Sequence, residues 1–208
     1  MKIEGGKAEL LQLINIQLSL FLIKEKLEII ESYLDEVLSR IEFCFKHTSN
    51  KYYSKNNEVY FNPFHSGQWS IFLYYLSNTL FTKDNSNRII ADKIYYLNKT
   101  LNGFDILYEI ELPAIFMLDH PVGTVLGRAE YSEYFSFCQG CTVGNNHGKY
   151  PQIGKNVSML ADSKIIGDCI IGENVIISAN TYIKDQSIPS NSIVFGSSPN
   201  LIIKQKKL

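Results

Sequence analysis

From Ile153 onward an apolar residue returns at every sixth position: Ile153, Met159, Ile165, Ile171, Ile177 and Ile183. Four places after each stands a small or β-branched residue: Val157, Ser163, Cys169, Val175, Thr181 and Ser187. Two series locked to one period define a repeat, and a repeat constrains architecture before any local propensity does. A period of six matches neither the helix nor the strand of an ordinary sheet, whose periods are about 3.6 and 2. It matches a solenoid in which each hexapeptide supplies one short strand and one tight corner, three hexapeptides completing a triangular coil. The apolar member points inward and the small member packs beside it where the prism is narrow. A parallel β-helix is therefore predicted for this part of the chain.

The beat extends upstream through Ile106, Leu112 and Leu118, then slips one place to Val125, Tyr131, Phe137 and Val143. It breaks between Val143 and Ile153, where Asn145 to Gln152 is polar and carries Gly148 and Pro151. That segment is predicted to protrude from a corner as a loop, and loops on rigid scaffolds collect binding groups. Beyond Ile188 and Pro189 the pattern fades into Gly196 to Asn200 and a basic end with Lys204, Lys206 and Lys207.

The first hundred residues follow a different rule. Leu10, Leu11, Ile14, Leu18, Phe21, Leu22 and Ile29 recur at three-to-four spacing, which predicts a helix from residue 7 to about residue 45. Thr48 to Asn57 reads as a loop. Asn62-Pro63 opens a second helix with the proline in its first turn, and its aromatic body, Trp69 to Leu76, reads as helix-packing core or as a subunit contact. After a loop over Lys83 to Asn87, a third helix is predicted over roughly Ser86 to Leu101, capped by Gly103. The fold class is thus α+β: an α-helical domain over 1–103, a β-helix over 104–195, and a basic tail over 196–208.

Apolar residues make up 45% of the 208 positions, enough for a core, with no run able to span a membrane. A net charge of −1 points away from nucleic acid and from a polybasic anchor. The start, Met1 to Gly6, lacks a signal core, so a cytoplasmic protein is expected. Cys138-Gln139-Gly140-Cys141 has the CxxC spacing but no second pair and no strand-to-helix context, so structural or pocket-lining cysteines are expected, with no metal.

Chemistry on a solenoid needs polar groups outside, near a corner. His120 stands just beyond the inward Leu118, and imidazole is the natural general base at neutral pH. Such a base works best when a carboxylate orients its other nitrogen. Asp105, fifteen residues earlier, is close to one coil of about eighteen residues below it. Asp119 is adjacent, and strand alternation sends it to the opposite face. The alternative for such a pair is plain surface solvation. Ala161, Ser178 and Ala179 are wall positions small enough for a close ligand, though tight corners demand small residues anyway. Lys204, with Lys206 and Lys207, would attract phosphates.

From Asp105 to Asn146 the chain resembles, without a gap, bacterial serine acetyltransferases. The match runs through Asp105-Ile106, Met117-Leu118-Asp119-His120, Gly123, Val125-Leu126-Gly127 and Cys138 to Gly144. The resemblance implies a helical domain followed by a left-handed parallel β-helix of hexapeptide repeats. It implies His120 as general base with Asp105 as its partner, and Asp119 near the acceptor. Acetyl-CoA would lie along the coils, past Gly144, in a groove between subunits of a homotrimer or a dimer of trimers. The family's arginine-histidine-proline element, which helps hold the amino-acid acceptor, is replaced here by Lys149-Tyr150-Pro151. Lysine is no substitute for a bidentate arginine clamp. The family's Gly-Val-Pro-Ala-Arg becomes Gly196-Ser197-Ser198-Pro199-Asn200. His147 becomes a candidate acceptor contact or alternative base, since hexapeptide acetyltransferases acting on sugars place a histidine in such a loop. The expectation is an acetyl-CoA-dependent O-acetyltransferase acting on a sugar hydroxyl of a surface polysaccharide. The alternatives are a serine O-acetyltransferase holding its acceptor with Lys149 and Tyr150, and a non-catalytic hexapeptide scaffold.

Overall fold

A computed structural model describes residues 1–19 and 27–206, in two compact units that divide between Asn102 and Gly103. The first unit opens with a short strand β1 (Lys2–Ile3) and helices α1 (Gly6–Ser19) and α2 (Leu27–Lys46). The single helix expected over 7 to 45 is thus described as two, and Phe21 and Leu22 lie outside the described residues. On α2, Ile30, Leu34, Val37, Leu38, Ile41 and Phe45 are buried, the three-to-four spacing that puts one face on a core.

The stretch read as a loop holds structure of its own. A 3-10 turn at Lys51–Tyr53 leads into strands β2 (Ser54–Lys55) and β3 (Glu58–Phe61), with β1 added parallel on β3. Asn56 and Asn57 join them with φ of 56° and 64°, the left-handed pair that a two-residue hairpin turn requires. Helix α3 (Ser66–Lys83) starts one residue after His65, whose side chain accepts from the Gln68 N–H, so Pro63 precedes the helix rather than sitting in its first turn. Every residue from Gly67 to Leu80 is buried, Trp69 to Leu76 included, and α3 packs against α2 and against α4 (Arg88–Asn102). A helix buried all round is a core element. Several of its polar groups find partners: Ser70 and Ser77 donate to the Ser66 and Leu73 carbonyls within the helix, and Asn98 of α4 donates to the Ser70 carbonyl. Gly103 follows α4 at φ 60°, the left-handed residue that ends a helix.

The second unit is a parallel β-solenoid. Its first coil holds β4 (Asp105–Ile106) and β5 (Phe116–Leu118), and its second β6 (Val125–Leu126), β7 (Glu130–Tyr131) and β8 (Phe135–Phe137). The third has β9 (Thr142–Gly144), β10 (Gln152–Ile153) and β11 (Ser158–Met159), and the fourth β12 (Lys164–Ile166), β13 (Ile170–Ile171) and β14 (Ile176–Ile177). The last has β15 (Tyr182–Lys184) and β16 (Ser192–Ser197), and β17 (Asn200–Gln205) folds back antiparallel on β16. Face one stacks β4, β6, β9, β12 and β15; face two β7, β10 and β13; face three β5, β8, β11, β14 and the start of β16.

The predicted inward residues Ile153, Met159, Ile165, Ile171, Ile177 and Ile183 are all at most 2% exposed. Two positions differ. Leu126 points inward where Val125 was expected, and Val125 is 41% exposed. Ile188 is buried and Ser187 exposed, because the last coil shortens by one residue.

Left-handed residues mark the corners and stack from coil to coil. Edge A, from face three to face one, carries Gly123, Gly140, Asp162 and Asn180; edge B, from face one to face two, carries Gly167 and Asp185; edge C carries Tyr134, Asn156, Asn174 and Asn191. Asn and Asp tolerate this backbone because their short side chains bond locally. On edge C they form a ladder, Asn156 donating to Asn174 at 2.9 Å and Asn174 to Asn191 at 3.1 Å.

Candidate active site

Edge A is where the first coil departs from the others. From the inward Leu118 to the corner Gly123 the chain takes five steps, where Phe137 to Gly140, Met159 to Asp162 and Ile177 to Asn180 take three. The two extra residues push His120 out of the wall with φ 49°. Its side chain is 83% exposed, and the Asp119 carboxylate lies 3.4 Å from its Nε2. The expected placement of Asp119 on the opposite face does not occur. Strand β5 ends at Leu118, and the left-handed turn at His120 cancels the alternation, so both side chains face outward together.

Asp105 opens β4, where its N–H donates to the Thr124 carbonyl at 2.9 Å and its register partner is Val125. It therefore stacks below Val125 rather than below His120, the coil from 105 to 125 being lengthened by the corner that carries His120. Asp105 sits on face one just past edge A, one corner away from the imidazole in the chain.

Above His120 the backbone forms a column along edge A. Asp119 N–H donates to Phe137, Cys138 to Met159, Leu160 to Ile177 and Ser178 to Val194, at 2.9, 3.0, 2.9 and 3.0 Å. Ala161 and Ala179 stand beside this column, so His120, Asp119, Ala161, Ser178 and Ala179 share one edge. Cys138 joins them, a neighbour of Asp119 that the sequence reading did not assign to the site. Burial above all, and then the neighbouring Cys141 and the Asp119 charge, push its thiol up, so it stays protonated at neutral pH. A thiol held neutral is a poor nucleophile. Cys141 is fully buried, and its Sγ lies 3.2 Å from the Leu160 carbonyl. All four cysteines are free. Among the described residues no three His, Cys, Asp or Glu side chains converge on a metal site.

The other candidates fall elsewhere. Gly144 ends β9 at edge B, where the chain turns into the segment predicted to be a loop. That segment is a tight hairpin: Asn146 and Lys149 exchange N–H to carbonyl bonds at 3.1 and 2.9 Å, around His147 and Gly148 at φ 49° and 76°. His147, Lys149 and Tyr150 are exposed on it. A pocket of about 320 Å³ lies further up this edge, lined by Tyr182, Lys184, Asp185, Gln186, Ser198 and Pro199. Lys204 lies on β17 with its Nζ 5.5 Å above the Phe195 ring. Edges A and B are separated by a three-residue strand, on the order of 10 Å, so His120 and the hairpin belong to different edges of one chain.

An exposed imidazole beside a carboxylate, at the foot of a straight run of small residues and regularly spaced amides, suits proton removal next to an extended ligand. Three comparisons bear on this arrangement. Residues 150–185 match the family described as bacterial transferase hexapeptide (six repeats). The chain is 31% identical over 147 residues to a serine acetyltransferase of Staphylococcus epidermidis, spanning 68% of this chain and 67% of that one. Among solved structures, a Neisseria gonorrhoeae serine acetyltransferase in complex with serine aligns with TM-score 0.67 and 23% identity, over 85% of this chain and 74% of its own. A serine acetyltransferase in complex with CoA aligns with TM-score 0.67 and 20% identity, over 86% of this chain and 75% of its own.

Proposed function

The chain belongs to the serine acetyltransferase family of hexapeptide-repeat acyltransferases, and on that premise we propose that it moves the acetyl group of acetyl-CoA onto the hydroxyl of L-serine. The observation that carries this reading is the outward His120–Asp119 pair at the foot of edge A. His120 takes the proton of the serine hydroxyl as its oxygen attacks the thioester carbonyl. The carbon–sulfur bond of the tetrahedral intermediate breaks, and the imidazolium returns the proton to the leaving CoA sulfur. Asp119 stabilises the imidazolium and offers a carboxylate to the serine ammonium, and Asp105, which opens the same coil on face one, would orient the base across the corner. Positioning, together with a wall amide directed at the developing oxyanion, supplies much of the rate. Direct transfer needs no acyl-cysteine, and Cys138, whose thiol burial pushes up, is given no covalent role.

Acetyl-CoA fits edge A, where the small side chains of Ala161, Ser178 and Ala179 leave room for the extended pantetheine to run close beside the backbone. Lys204 would meet the phosphates. Because the hairpin with His147, Lys149 and Tyr150 lies on edge B, it would serve the His120 of a neighbouring copy, which makes a homotrimer the natural assembly. Lys149 then meets the serine carboxylate as a point charge. The matched relatives named above support serine over the polysaccharide sugar expected from the sequence; the sugar reading rests on the replacement of the arginine clamp by Lys149 and Tyr150.

The test is CoA release from acetyl-CoA, followed by thiol trapping, with L-serine beside a panel of free and nucleotide-linked sugars. Turnover on L-serine is expected. Turnover on a sugar alone would overturn the acceptor while keeping the chemistry.

A further inference from the structure

A loop that contacts a substrate can be mobile and order on binding, or it can be built in advance. The hairpin on edge B is built in advance. Its two-residue turn is closed by the paired bonds between Asn146 and Lys149, and its base is tied to a distant part of the chain. Asn146 Nδ2 donates to Asp185 Oδ2 at 2.6 Å, across 39 residues. The other carboxylate oxygen of Asp185 accepts from the Asp168 N–H at 2.9 Å. One side chain thus joins the hairpin of the third coil to corners of the fourth and fifth.

Gly167 lies under this clasp at φ 83°, and a Cβ there would overlap both the Asp185 carboxylate and the Asn146 side chain. The Asp168 N–H, then Asn146, Lys184 and His147, hold the Asp185 carboxyl below its ordinary range despite the opposing effect of desolvation, so it is ionised throughout the neutral range.

We infer that Asp185, through Asn146, is a positioning residue for the acceptor: it fixes the hairpin so that His147 and Lys149 are presented in one geometry before the acceptor arrives. The inference rests on the acceptor role given to the hairpin above. Pre-ordering lowers the cost of binding without touching the proton transfer or the thioester. Loosening the clasp therefore weakens acceptor binding and leaves the chemical step alone.

The experiment uses the full-length protein with Asn146→Ala, Asp185→Ala, the double variant, and Asn174→Ala as a corner variant on edge C. Steady-state kinetics are measured with L-serine, or with whichever acceptor the wild type turns over. Amide exchange is read at Asn146 and Lys149. Each clasp variant is expected to raise the acceptor KM about tenfold, with kcat and the acetyl-CoA KM within about twofold. Their amide exchange should quicken, and the double variant should be no worse than either single one, as for two ends of one contact. Asn174→Ala should leave the acceptor KM unchanged. Faster exchange with an unchanged acceptor KM would overturn the positioning role. Unchanged exchange would overturn the clasp itself. Failure of the wild type on L-serine would strike the acceptor assignment alone, because the variant-to-wild-type ratio and the exchange are still read.

Discussion

Two residues show how a local backbone decides chemistry or stability. His120 reaches solvent because the corner before face one is two residues longer than its counterparts, and Asp119 follows it outward. His120→Ala should lower turnover by on the order of a hundredfold or more while acetyl-CoA still binds, checked by kcat beside calorimetric titration of the nucleotide. Activity at the wild-type level would move the base to His147. Tyr134 is the second case. It holds φ 62° at the foot of the asparagine ladder, a conformation that strains an aromatic residue by about 1–2 kcal/mol. Its ring faces the Lys155 ammonium at 5.5 Å, an exposed contact of about 0.5–1 kcal/mol. Tyr134→Asn relieves the strain, loses that contact and extends the ladder toward Asn156. The expected net gain is about 0.5–1 kcal/mol, read as a rise of a few degrees in melting temperature. His120 and Asp105 were legible as residue types in a spacing. That Asp105 stacks on Val125 was not, because an insertion in a corner changes the coil length without changing the beat of inward residues.

At the scale of the element, each solenoid strand from β4 to β15 is only two or three residues long, too short to bury a hydrophobic face of its own. Stability comes from the inward stack, in which one side chain per face rests on its equivalents above and below. Ile177 is fully buried between Met159 and Val194 in register. Ile177→Ala should cost about 2–5 kcal/mol, measured by denaturant unfolding, since neighbouring coils cannot close the cavity without shifting register. The six-residue beat was readable because it is local and repeats. The slip at Val125 was misread for the same reason: counting in sixes has no way to absorb two extra corner residues, so it named Val125 where Leu126 turns inward. The hairpin was visible only as a polar interruption. Its closure by Asn146 and Lys149 agrees with the local His147-Gly148 turn, but its clasp depends on Asp185, which is distant in sequence and adjacent only once two coils have stacked.

At the scale of the whole molecule, the proposed division of the site between two edges implies that copies associate to complete it. The proposed trimer predicts a mass in multiples of three chains by light scattering, and loss of specific activity on dilution below the association range. Full activity from a monomer would place the acceptor contacts on edge A instead. In the other unit α3 is buried on every side, in keeping with its low contrast between faces and its aromatic body. The short sheet beside it escaped the sequence reading because strands of two to four residues carry no period to count. By itself the sequence determined the order of a helical unit and a solenoid, the inward residues of the later coils, and the residue types able to act as base and partner. These follow from short-range periodicity and side-chain chemistry, which need no knowledge of neighbours. Only the tertiary structure decided which edge each candidate occupies, which coil lies above which, and what pins the hairpin. One residue more or less at a corner changes which residues come into register on the next coil, and that offset is fixed by stacking between coils rather than by any residue alone.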